Sequence, residues 1–142
     1  GQRYAQPAAT WGAAGGGRTV AESRPRRSSV RVRSKVWIER DGEIVMSEYR
    51  ARLLEAVARE GSVAAAADAL GLPNRTAWKK LRELEAAAGT ALLDSGSGGA
   101  AGGQSRLTPA AEEMLLAFRR IASPVDDDVQ ERFADEQEHF RR

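Results

Sequence analysis

The stretch "GSVAAAADALGLPNRTAWKKLRELEAAAG", residues 61–89, contains two helical patterns joined by a turn with one glycine. Ser62 is a capping residue directly after Gly61, and Val63, Ala66, Ala67 and Leu70 give the short helix behind it an apolar face. Gly71 ends that helix, and Leu72-Pro73-Asn74 leads into a longer one that runs from about Pro73 to Ala88. At about 100° per residue, Ala77, Leu81, Leu84 and Ala88 of the longer helix fall on one narrow stripe, its buried face. A short helix, a glycine-containing turn and a second helix are the parts of a helix-turn-helix, whose second helix enters the major groove of DNA.

The face opposite the stripe gives that reading its chemistry. It begins with polar Asn74, Arg75 and Thr76 and carries Arg75, Lys79 and Arg82 before any acid; Glu83 and Glu85 come only toward its end. Arginine and lysine donate to guanine edges or phosphates, asparagine pairs with adenine, and threonine meets either. A charged helix face is commonly no more than a solvated one, and here its place directly after a helix-turn signal favours DNA. Trp78, at the edge of the stripe, is a packing residue. The candidate DNA-contacting set is Ser62, Asn74, Arg75, Thr76, Lys79, Lys80 and Arg82, with Arg106 further along the chain.

On the N-terminal side, Val36-Trp37-Ile38 and Ile44-Val45-Met46 flank Asp41-Gly42, a two-residue turn between β-prone runs that predicts a hairpin. Ser47 then caps a helix carrying Leu53, Leu54 and Val57, which Gly61 closes. On the C-terminal side, Ala91-Leu92-Leu93 and Arg106-Leu107 bracket the run "GGAAGGQSRLT", residues 98–108. Two short strands with a glycine-rich tip make a wing over about residues 92–107, whose tip either approaches a phosphate or is a long disordered loop. Gly98, Gly103, Gln104 and Ser105 nearly match a nucleotide-binding loop, but its lysine, its preceding strand and its directly following helix are missing. Thr108-Pro109 then starts a last helix with Met114, Leu115, Phe118 and Ile121 as its apolar stripe. The fold class expected is mainly α with a small β component: a winged helix-turn-helix with an N-terminal β-hairpin.

Length and charge divide the chain in three. With 142 residues there is room for one domain and its tails. Residues 1–34 carry seven arginines against Glu22, a net of +6, among Gly, Ala, Ser and Pro: a basic arm expected to be disordered, serving either to find phosphates or nothing at all. Residues 35–123 hold twelve charges of each sign and form the DNA-binding domain. Residues 124–142 hold three basic and seven acidic residues, an acidic tail with room for a short helix from Val125 to Phe140. There is no cysteine and one histidine, His139, so thiolate metal sites are excluded, and no metal, cofactor or catalytic residue is expected. No membrane span or export signal is visible, and a cytoplasmic location is the default.

The sequence from Lys35 to Leu115 resembles the N-terminal DNA-binding domain of the molybdate-dependent transcriptional regulators of the ModE type, relatives of the LysR-type regulators, over about residues 35–121. The most specific pieces are Trp37 with Asp41-Gly42, Gly61-Ser62, Ala77-Trp78, the glycine pairs 98–99 and 102–103, and Leu107-Thr108-Pro109. The resemblance implies a homodimer joined through the flanking helices, with each third helix in a major groove of a palindromic operator. The chain departs from the family at Asn74, where an aromatic residue is usual, and at Lys79-Lys80, where an acidic and an apolar residue are usual.

The function expected is a sequence-specific transcriptional regulator that binds double-stranded DNA as a homodimer and is not an enzyme. Leu115, Phe118 and Ile121, with the opening hairpin, are the expected dimer surface. The alternative from another class is a winged-helix module that binds protein and not specific DNA. Family members continue into oxyanion-binding domains, for which residues 124–142 leave no room. No molybdate response is therefore expected, and a separate sensor protein is the expected source of regulation.

Overall fold

The computed structural model describes residues 29–95 and 103–142. The expected tip of the wing, residues 96–102, and most of the basic arm, residues 1–28, lie outside them. Strands β1 (Trp37–Arg40) and β2 (Glu43–Ser47) form the opening antiparallel hairpin. Its two turn residues both have positive φ, 51° at Asp41 and 83° at Gly42, which is why an Asp-Gly pair is found there. Between the pairs Ile38↔Met46 and Glu39↔Ile44 the register slips by one, leaving Val45 as the extra residue of a bulge. The bulge lets the neighbours Val45 and Met46 both reach the interior, which strict alternation along a strand would forbid.

Helix α1 (Glu48–Glu60) starts where the Ser47 hydroxyl accepts from the Arg50 amide and stops at Gly61, with φ of 81°. Helix α2 (Val63–Ala69) starts one residue later, capped by Ser62, whose hydroxyl accepts from the Ala65 amide at 3.1 Å. Gly71, with φ of 66°, turns the chain, and α3 (Asn74–Ala88) follows. Strands β3 (Leu93–Ser95) and β4 (Ser105–Leu107) pair antiparallel as the base of the wing. The Thr108 hydroxyl accepts from the Ala111 amide and donates to the Ala91 carbonyl at 2.8 Å, fixing the start of α4 (Pro109–Glu136) beside the wing.

Val57, Leu53, Leu54 and Ala56 of α1, Val63, Ala66 and Ala67 of α2, and Ala77, Leu81 and Leu84 of α3 enclose one core with Met46, Leu92 and Phe118. Small side chains on α2 let it approach its neighbours closely. The fold is a winged helix-turn-helix with an N-terminal hairpin, and the four buried-stripe residues expected on α3 all face or flank this core.

Helix α4 differs from the sequence reading in two ways. It runs unbroken through Pro124 for 28 residues, crossing the division drawn at 123/124, and a 3-10 turn, Gln137–Phe140, ends it. Proline removes one internal hydrogen bond, but Ala122, Val125, Val129 and Phe133 keep the three- and four-residue apolar spacing across it. The division therefore follows charge and not chain geometry. Phe118 is also only 1% exposed, deep in the core, and Leu115 packs against the same cluster. The apolar residues of α4 that face outward are instead Leu116, Ile121 and Val125, at 58%, 50% and 41% exposure. The stripe Leu115–Phe118–Ile121 thus splits between core and surface.

Residues 31–36 lie extended along the second half of α4, with exposed Arg31, Arg33 and Lys35 alternating with half-buried Val32, Ser34 and Val36. The Ser34 hydroxyl donates to Asp126 at 2.9 Å, and the Gln130 amide donates to the Val32 carbonyl at 3.0 Å. The end of the basic arm is therefore docked on the acidic part of the helix.

Candidate nucleic-acid interface

Among the described residues, three of the four α-helices begin with a hydroxyl cap, from Ser47, Ser62 and Thr108. The fourth, α3, begins after Pro73 with no side-chain cap, so the amides of its first turn keep donors free for a ligand. Around that turn, Asn74 and Arg75 are exposed and Thr76 is half-buried. One turn on, Lys79 is exposed. Among the described residues, neither Arg75 nor Lys79 has a hydrogen-bond or ion-pair partner. They are two cations held by a rigid helix on the side away from the core.

The other candidates are placed differently. Lys80 is half-buried and pairs with Glu83 at 3.6 Å on the flank of α3. Arg82 is exposed and donates to Glu85 at 2.9 Å, with its guanidinium 5.2 Å from the centre of the Trp78 ring. Trp78 itself packs against the core, and its buried indole N–H has no partner among the described residues. The Ser62 hydroxyl is occupied as an acceptor by its capping bond. Arg106 is exposed on β4, directly across from Asp94 on β3. The structure brings Asn74, Arg75, Thr76, Lys79 and Arg82 together on α3, puts Lys80 to one side, and sets Ser62 and Arg106 on neighbouring elements.

Several residues that hold this surface in place carried no signal in the sequence reading. Glu85 accepts from the Leu92 and Leu93 amides at 2.9 and 3.3 Å, tying α3 to the wing base. Its place one residue after Leu84, at the edge of the buried stripe, was the available clue. Arg40 donates to the Ala87 carbonyl at 3.3 Å, joining the hairpin to the end of α3, and Arg50 donates to the Ile44 carbonyl. Arg119 of α4 donates to Glu55 at 2.7 Å and Glu48 at 2.6 Å on α1. The bonds from Glu55 and Glu48 push the Arg119 pKa further up, against the effect of burial. Burial alone would raise the Glu48 pKa, but the hydrogen bonds and charges of Arg119 and Arg52 outweigh it and hold it below the usual 4.5.

Between the α1–α2 corner and β4 lies an open groove of about 810 Å³, lined by Glu60, Ser62, Gln104, Ser105, Arg106 and Glu112 among others. Among the described residues there is no group of three or more acidic, histidine or cysteine side chains arranged to hold a metal ion. No helix there is long and apolar enough to cross a membrane.

Comparison with known proteins agrees with this geometry. Residues 50–112, from the start of α1 to the first turn of α4, match the family of bacterial regulatory helix-turn-helix proteins of the lysR type. The chain is 36% identical over 90 residues to a molybdenum-pterin-binding protein, MopB, of Rhodobacter capsulatus, covering 63% of this chain and 33% of that protein. It is 36% identical over 81 residues to MopA of the same organism, 57% of this chain and 31% of that one. With the molybdenum transport protein ModE of Herbaspirillum seropedicae it shares 39% over 69 residues, 49% of this chain and 26% of that one. The chain thus spans about a third of the length of these relatives or less. Residues 50–112 are similar to the helix-turn-helix region of lysR-type regulatory proteins, and the chain as a whole resembles ModE and Mop proteins over a third of their length or less.

Proposed function

We propose that the chain is a sequence-specific transcriptional regulator that binds double-stranded DNA as a homodimer, with α3 in the major groove and the wing beside the phosphate backbone. The observation that carries this reading is the exposed pair Arg75 and Lys79, rigidly mounted on the first two turns of α3 and unpaired by any described residue. A surface cation without an intramolecular partner keeps its full attraction for phosphate, and the uncapped amides beside it add to that field. Asn74, Arg75, Thr76 and Lys79 read bases or phosphates from the N-terminal half of α3, with Arg82 behind them. Ser62 and Arg106, which line one groove beside β4, contact the phosphate backbone. Lys80, turned to the flank, contributes charge more than base recognition.

The homodimer uses exposed Leu116, Ile121 and Val125 of α4 and Trp37 of the hairpin, which is 49% exposed. Apolar surface of this kind on an otherwise charged helix favours a symmetric partner. No small-molecule sensing is assigned to residues 35–123. Footprinting on genomic fragments tests the reading: two protected half-sites about one helical turn apart are expected. Protection of a single site, or none at any sequence, would contradict it.

A further inference from the structure

We propose that Glu85 is a positioning residue for DNA binding: its carboxylate fixes the Arg82 guanidinium and the base of the wing in one arrangement, so that helix and wing meet DNA as one rigid surface. The inference rests on the DNA-binding reading above. An acid on the recognition helix is unfavourable beside a polyanion unless its contacts supply a compensating role. The geometry supplies one. One carboxylate oxygen of Glu85 accepts from Arg82 at 2.9 Å. The other accepts from the backbone amides of Leu92 and Leu93, where β3 begins.

Each contact restrains something that would otherwise move. The guanidinium is planar, with five N–H donors in a fixed fork. Glu85 accepts from one of its nitrogens and the guanidinium carbon sits over the Trp78 ring, 5.2 Å from its centre, so the group is held at two places on a side chain that is still 65% exposed. Arg82 therefore surrenders less rotamer freedom on binding than Arg75 or Lys79, which have no described partner. The wing base is held between two clamps: Glu85 on the amides of Leu92 and Leu93, and Thr108 on the carbonyls of Ala91 and Leu92. Among the described residues, only Glu85 connects that base to the recognition helix through a charged group. Its side chain is 13% exposed, so solvent screens the contact little.

Charge and position make opposite predictions here. Glu85→Gln and Glu83→Gln each remove one negative charge from α3, and Glu83 is a fair control because it is exposed, pairs with Lys80 at 3.6 Å, acts on Arg50 and Tyr49 by charge, and bonds no described amide of the wing base. Phosphate attraction alone makes both variants bind DNA as tightly as the parent or tighter. Positioning makes Glu83→Gln follow that rule and Glu85→Gln break it, with DNA affinity falling roughly three- to tenfold. Hydrogen exchange at the Leu92 and Leu93 amides should quicken in Glu85→Gln alone. Arg82→Lys keeps the charge, loses the fork, and should weaken binding by a similar factor, with nothing added on top of Glu85→Gln. Affinities are measured by titration on the full chain where circular dichroism shows each variant folded. Equal or tighter binding by Glu85→Gln, or parental binding by Arg82→Lys, overturns the proposal. Loss of any effect from Arg75→Ala with Lys79→Ala would instead overturn the DNA-binding reading beneath it.

Discussion

Helices α3 and α4 bury the same kind of apolar stripe against one core, yet their outer faces differ in what they leave unsatisfied. On α3 the exposed cations Arg75 and Lys79 have no described partner, and the acids come late. On α4 the cation nearest the core, Arg119, is bound to both Glu48 and Glu55, exposed Arg120 has no described partner, and apolar Leu116, Ile121 and Val125 stand outward among charged residues. Cations that hold helices together are already spent on carboxylates, whereas cations aimed at phosphate must be left free. In the proposed function α3, with two free cations one turn apart, is the DNA face and α4, with its exposed apolar residues, is the face for another protein chain.

Breaking the buried side of the comparison should have the largest effect. Phe118 fills the junction of α4 with the core, so Phe118→Ala should lower stability by about 3–5 kcal/mol. Urea unfolding would measure this, and a loss under about 1 kcal/mol would place Phe118 at the surface after all. Half-exposed Ile121, only three residues on, should behave in the opposite way. Ile121→Glu is expected to leave the midpoint of monomer unfolding nearly unchanged and to raise the dimer dissociation constant by roughly tenfold or more, about 1.4 kcal/mol. Sedimentation at several concentrations reads that change, and an unaltered association would remove α4 from the dimer.

How much of this was legible in the sequence depends on the range of the interaction. Caps at Ser47, Ser62 and Thr108, the Asp41-Gly42 turn and the α3 stripe are local patterns, and each stands where its residues put it. The cationic face of α3 could be read for the same reason, since one helix presents it. The sharing of Phe118 and Ile121 between core and surface depends on what packs against α4, which no local period reports. The division after residue 123 followed the change of charge, and the unbroken helix through Pro124 is signalled only by the continued apolar spacing at Val125, Val129 and Phe133. Glu85 and Arg119 act across 7 to 71 positions of sequence, so their roles appear only when the elements meet.

The ion pairs of α4 sharpen the comparison with a smaller, pH-dependent effect. The folded-state pKa of Glu48 is held below its unfolded value of 4.5, so its contribution is present in full above about pH 4.5 and is lost as pH falls through the lower folded value. Because these side chains are one-third to one-half exposed, the amount is about 1 kcal/mol or less. Arg119→Ala should flatten that acid limb of the stability curve, while Arg75→Ala should leave it intact. An identical limb in both variants would show that Arg119 does not hold Glu48.

The smallest effect expected is none. The groove beside β4 is open and sets Glu60 and Glu112 beside Arg106, so it offers a free oxyanion no enclosed set of donors. Millimolar molybdate should therefore leave the melting temperature of the 142-residue chain unchanged, since a ligand shifts an equilibrium only by binding one state better. A rise of several degrees with molybdate, but not with equal sulfate, would reveal an oxyanion site in this chain.

The central claim, that the unpartnered cations of α3 are kept free for DNA, is tested most directly by the salt dependence of DNA affinity in the parent and in the Arg75→Ala, Lys79→Ala double variant. Each neutralised phosphate contributes about 0.9 to the negative slope of log affinity against log salt concentration. If both cations lie against phosphates, the variant's slope should be shallower by about 2, with its melting temperature unchanged. If Arg75 reads a base instead, the slope should change by about 1, with preference relaxed at one operator position and a cost of about 1–3 kcal/mol. The same slope, affinity and sequence preference in parent and variant would contradict the account.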